Sequence, residues 1–82
     1  NMNILHDLDR MINELEKSKT PAEHIIMGKK YFYEWTIEIS RTGNISFNTN
    51  KKKYKFTYRE IPIILCESDI LEVVPNGKYM LD

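Results

Sequence analysis

The residues of this chain that could do acid–base, nucleophilic or metal chemistry are few and scattered. They are His6, His24, Cys66, and two carboxylate pairs at close spacing, Glu34 with Glu38 and Glu67 with Asp69. A zinc site needs three or four converging ligands, and no stretch has that spacing, so no metal is expected. His24, ahead of an apolar run, reads as a boundary residue. Cys66 would need a basic neighbour to act as a nucleophile. It closes the apolar run Ile61 to Leu65 and precedes Glu67 and Asp69, whose charges disfavour a thiolate, so it reads as structural. Paired carboxylates catalyse only when unequal surroundings separate an acid from a base, and these pairs fall in a turn and on a solvent-facing element. Gly28, Gly43 and Gly77 are too far apart to cradle a phosphate. The expectation is a protein that is not an enzyme, with no catalytic residue and no cofactor.

Two constellations could support binding instead. In "NKKKYKFTYR", Lys51, Lys52, Lys53, Lys55 and Arg59 interleave with Tyr54, Phe56 and Tyr58. That mixture can hold phosphates and stack bases on an exposed sheet. An edge strand kept from aggregating by its lysines accounts for the same residues. The second is "YFYEW", because Tyr31, Phe32, Tyr33 and Trp35 cannot all face inward from one helix. Aromatics left on a surface are typical anchors of protein interfaces, which marks Tyr31, Tyr33 and Trp35 as candidate partner-binding residues. A homo-oligomer would be one way of burying them.

The whole chain bounds these readings. Its 82 residues suffice for one domain, at a size that buries roughly 60% of the unfolded surface. With 41% hydrophobic and 29% charged residues, the composition is globular. Twelve basic residues balance twelve acidic ones, so the long-range attraction that drives non-specific binding to nucleic acid or anionic membranes is missing. Nucleic acid is therefore the second-choice partner, and a protein the first. A lone cysteine fits a reducing, cytoplasmic setting. No run reaches the roughly 20 apolar residues of a membrane-spanning helix, and no signal-peptide layout opens the chain. Asn1 ahead of Met2 reads as an extra residue before a natural start.

The elements follow from periodicity. Ile4, Leu5, Leu8, Met11, Ile12 and Leu15 form one helical stripe, with Asp7 and Asp9 early and Lys17 and Lys19 late to suit the helix dipole. Thr20, Pro21 and Glu23 could open a second helix, but Ile25 to Met27 closed by Gly28 favours a short buried strand. From Lys29 to Ser40 the residues alternate with β-branched and aromatic types, so local propensity alone favours a strand. The polar stretch Asn44 to Lys53 reads as a loop or weak edge hairpin. Tyr54 to Cys66 reads as one strand passing from half exposed to buried, with Pro62 at its beginning, at an edge or at a bulge. Asn76-Gly77 suits a two-residue hairpin joining Leu71–Val74 to Lys78–Leu81, which would set Val74 opposite Tyr79 and Val73 opposite Met80.

The succession of Pro21, Ile25 to Gly28, Tyr31, Tyr58 to Ile64 and Val73 to Leu81 resembles the C-terminal part of the major capsid proteins of tailed phages. It covers under half of the chain. The chain departs from the family in having Glu60 where a glycine usually precedes the Ile-Pro pair, and in lacking the length for an extended arm and a long spine helix. The resemblance implies a phage or prophage origin, residence in the host cytoplasm or the virion, and a helix rather than a strand over Lys29 to about Ser40. Together these lead to an α+β fold of order αβαββ, two helices on a small, mostly antiparallel sheet. The expected function is binding to a phage structural protein or a host protein, in assembly or takeover.

Overall fold

In the computed structural model, residues 3–42 and 56–79 are described. The elements are α1 (Ile4–Lys17), β1 (Ala22–Gly28), α2 (Lys29–Thr42), β2 (Thr57–Tyr58), β3 (Ile61–Cys66) and β4 (Leu71–Pro75), followed by a 3-10 turn at Gly77–Tyr79. The fold is α+β, with strands in the order β2-β3-β1-β4. β1 runs parallel to β3 and antiparallel to β4, and β2 is antiparallel to β3. No helix among the described residues is long and apolar enough to cross a membrane.

α1 begins where the Asn3 side chain accepts a hydrogen bond from the Leu5 N–H at 2.8 Å, satisfying one of the donors that a helix start leaves free. Its end is a Schellman turn: the Lys19 N–H donates to the Glu16 carbonyl and the Thr20 N–H to the Leu15 carbonyl. Lys19 takes the left-handed conformation there, with φ 59°, a position usually given to glycine. The Ile4, Leu8 and Ile12 stripe is buried, and Ile4 and Leu8 cluster with Ile25, Met27 and Ile63 of the sheet and Trp35 and Ile39 of α2. These side chains share one sheet face. The other face carries His24, Ile26, Ile64, Glu72 and Val74, by the alternation of the strands.

Over 22–28 the strand displaces the possible second helix, because its alternate residues Ile25 and Met27 fill the centre of the core, both 0% exposed. α2 follows with no intervening loop. The dipole does not favour it at its start, since Lys29 and Lys30 occupy its first turn and no acidic residue is there. Burial decides it: a helix lays Trp35 and Ile39 on the core with Phe32 beside them, whereas a strand would have put Tyr31, Tyr33, Trp35 and Ile37 on one face.

Two expectations are corrected. The strand expected over Tyr54 to Cys66 is broken by a tight turn, in which Arg59 and Glu60 both have positive φ, 51° and 67°. Paired with Tyr58 opposite Ile61, this is the two-residue hairpin geometry whose twist matches the strands. Glu60 is thus in the left-handed region that glycine most readily adopts. Pro62 stands second in β3, and the ladder to β1 starts one residue later at Ile63, so its missing donor costs no bond there.

The second correction concerns the C-terminal hairpin. Val74 lies opposite His24 and Val73 opposite Ile25, and Tyr79 belongs to the 3-10 turn. Asn76 turns the chain in another way, accepting from the Lys78 N–H through its side chain at 3.0 Å and donating its own N–H to the Pro21 carbonyl at 2.9 Å. Met80, like the stretch Asn44 to Lys53, lies outside the described residues.

Substitutions at backbone-determined positions should separate cleanly in chemical denaturation. A Cβ at Gly28 would run into the Ser68 carbonyl oxygen, so Gly28→Ala is expected to cost about 1–3 kcal/mol, the usual range for overpacking. Glu60→Gly and Lys19→Gly are expected to raise the midpoint, each by up to about 1 kcal/mol, since a non-glycine residue in the left-handed region costs about 1–2 kcal/mol, partly offset by glycine's entropy.

Candidate functional site

α2 presents its aromatics in three ways. Trp35 is only 4% exposed and belongs to an aromatic cluster, stacked on Phe32 with centroids 5.8 Å apart and edge-on to Phe56 and Tyr58 at 6.2 and 6.5 Å. It therefore leaves the set of surface anchors that the sequence suggested. Its indole N–H is buried with no hydrogen-bond partner among the described residues, a cost of about 1–3 kcal/mol offset by the rings around it. Tyr31 is half-buried against the core, with the Lys30 ammonium 5.7 Å from its ring centroid. Tyr33 is 68% exposed.

Ile37, which sequence reasoning passed over, completes the surface. It is 36% exposed and lies one turn beyond Tyr33. At 100° per residue the two side chains leave the helix about 40° apart. The signal was present as an i, i+4 pair, but a strand reading placed Ile37 beside Trp35 rather than opposite it. On the other side of Ile37 opens a groove of about 500 Å³ between the helices, lined by Ile4, Asp7, Lys30, Tyr31, Glu34, Ile37, Glu38 and Arg41. Its charges are largely paired within the chain: Arg41 to Glu38 at 3.1 Å and Arg10 to Asp7 at 3.4 Å. Glu34 has no such partner among the described residues.

Of the candidate nucleic-acid residues, Lys51, Lys52, Lys53 and Lys55 lie outside the described residues, and Arg59 is already engaged. Its guanidinium donates to Asp9 at 3.2 Å and Asn13 at 3.4 Å and pairs with Glu16 at 3.5 Å. Asp9, Asn13 and Glu16 form one polar stripe of α1 at i, i+4 and i+7, a clasp across 50 residues of sequence that no local pattern announces. The Tyr58 hydroxyl donates to the same Asp9 oxygen at 2.8 Å. Burial first, then that bond and the Asp9 charge, push the Tyr58 phenol from 10.0 up to about 12, with Arg59 pulling the other way. Each ion pair is largely exposed and worth little alone; together they fasten α1 to the strained turn.

The remaining candidates stay apart. His6 is exposed, and His24 reaches Glu23 at 3.6 Å. The Cys66 thiol donates to the Ser68 carbonyl oxygen at 3.5 Å. Glu67 and Asp69 are exposed in the β3–β4 connection. Among the described residues no group of three or more His, Cys, Asp or Glu could hold a metal. What the geometry offers is a surface for binding: an aromatic and an aliphatic side chain on α2 beside a charged groove. Neither family models, curated proteins nor solved structures give a match to this chain.

The clasp makes a pH prediction. Because folding raises the Tyr58 pKa, its stabilisation is complete below the unfolded value of 10.0 and disappears as pH rises towards about 12. Denaturant midpoints should fall across that window, and the fall should shrink in Tyr58→Phe. At neutral pH the same substitution should cost about 1 kcal/mol, the net worth of one hydrogen bond.

Proposed function

We propose that this chain is a non-enzymatic phage or prophage protein that works by binding another protein, in virion assembly or on a host factor. The observation that supports binding is the pair Tyr33 and Ile37, exposed one turn apart on α2, with Ile37 at the edge of the α1–α2 groove. Large apolar side chains left in water on a rigid helix cost free energy that a partner recovers, and tyrosine is among the residues that carry most interface energy. Tyr31 contributes the floor of the same surface, and Trp35 acts from beneath by holding α2 in place. The phage context rests on the capsid-like succession of Ile25 to Gly28, Tyr58 to Ile64 and Val73 to Leu81. Nucleic acid is the weaker alternative partner, since Arg59, the one member of that basic set among the described residues, is bound by α1.

The double variant Tyr33→Ala, Ile37→Ala should keep its stability to within about 0.5 kcal/mol, as surface substitutions do. Its partner, captured by the unaltered protein from host or infected-cell lysate, should be lost or weakened at least about 30-fold, the loss of roughly 2 kcal/mol typical of an anchor residue. Capture undiminished in the double variant would reject this face as the binding surface.

A further inference from the structure

The groove beside Ile37 has chemistry of its own that points to one kind of occupant. Its walls are two helices, so no free strand edge is on hand to extend by backbone pairing, and recognition must come from side chains. Along α2 it runs from Lys30 to Arg41, about 16 Å at 1.5 Å per residue. That is the length over which three turns of another helix could seat apolar residues at i, i+4 and i+7, the usual helix-in-groove spacing. The apolar floor comes from Ile4, Tyr31 and Ile37.

Charge then selects among helices. Three carboxylates, from Asp7, Glu34 and Glu38, face the groove against two cations, Lys30 and Arg41. Arg41 is taken by Glu38 and Arg10 by Asp7, while the Lys30 ammonium sits over the Tyr31 ring. Glu34 is exposed, midway along the groove, and is the carboxylate left without a cation among the described residues. Lys30 lies one turn before it in the less favourable order, lysine ahead of glutamate, and makes no ion pair with it within the described contacts. An incoming acidic helix would meet the uncompensated Glu34 carboxylate; a basic one would complete the set.

We propose that the α1–α2 groove takes a basic amphipathic helix of the partner protein, with apolar side chains on Ile4, Tyr31 and Ile37 and a lysine or arginine opposite Glu34. This rests on the reading of α2 as the protein-binding element and names the partner's chemistry. Tyr33, outside the groove, closes over the flank of the bound helix.

The test uses the full chain and three synthetic 14-residue helical peptides that share one leucine stripe and carry lysine, glutamine or glutamate on its flanks. Amide NMR titration locates binding and measures its strength. The lysine peptide is expected to shift amides of Ile4, Tyr31, Glu34 and Ile37 and to bind about tenfold tighter than the glutamine peptide, a difference of about 1.4 kcal/mol. Glu34→Gln should remove that advantage, so that the lysine and glutamine peptides bind alike. Equal binding of all three peptides in the groove, or preference for the glutamate peptide, overturns the basic-helix inference while leaving α2 as a binding face. No shift in groove amides with any peptide also overturns it; if Tyr33→Ala, Ile37→Ala still loses the natural partner in that case, the binding reading stands on the outer edge of α2. Loss of both results would remove the two together.

Discussion

The fold turns on the close approach of the β3–β4 connection to Gly28. Cys66 pairs with Gly28 at the end of β3, and β4 begins opposite Met27 on the far side of β1. Residues 67–70 must therefore cross the end of the central strand. They do so with the Gly28 N–H bonded to the Ile70 carbonyl at 2.9 Å and the Ser68 carbonyl where a Cβ would stand. Any other residue at 28 pushes the crossing away. With it would go β4, which supplies Leu71 and Val73 to the core, and the immediate start of α2 at Lys29.

Because α2 leaves β1 without a loop, its orientation is inherited from that crossing rather than from its own end signals. The helix then partitions its residues by angle. Trp35 and Ile39 go inward, Tyr31, Glu34 and Ile37 line the groove, and Tyr33 faces water. The surface proposed to bind is thus a by-product of how the core was filled. The Trp35 indole N–H, without a partner among the described residues, fits the same priority, with ring packing favoured over a satisfied donor.

Strain is concentrated where long-range contacts can hold it. Arg59 and Glu60 occupy left-handed conformations that few non-glycine residues tolerate. The side chain of Arg59 is also the one that spans to Asp9, Asn13 and Glu16. A glycine pair would relieve the backbone and lose the clasp. The neutral overall charge leaves such pairings local, so a basic residue seen in the sequence need not be available to a ligand.

By itself the sequence determined α1, because an apolar stripe with matched end charges has one low-energy use; over 22–28 it favoured a strand and left a helix open, and the burial of Ile25 and Met27 decided between them. It also showed that the aromatics of 31–35 could not all be buried, which made a binding surface legible before its members were. Tertiary structure decided the rest. Whether 29–42 became helix or strand depended on where Trp35 could find Phe56 and Tyr58, contacts more than twenty residues away. The Arg59–Glu60 turn gave no signal, since neither residue prefers positive φ and its support lies on α1. Asn76-Gly77 gave a hairpin signal, but the Asn76 side chain accepts from the Lys78 N–H and the chain enters a 3-10 turn there instead. Local pattern fixes what a segment can be; which of those options is taken depends on apolar area and hydrogen bonds that exist only once distant segments meet.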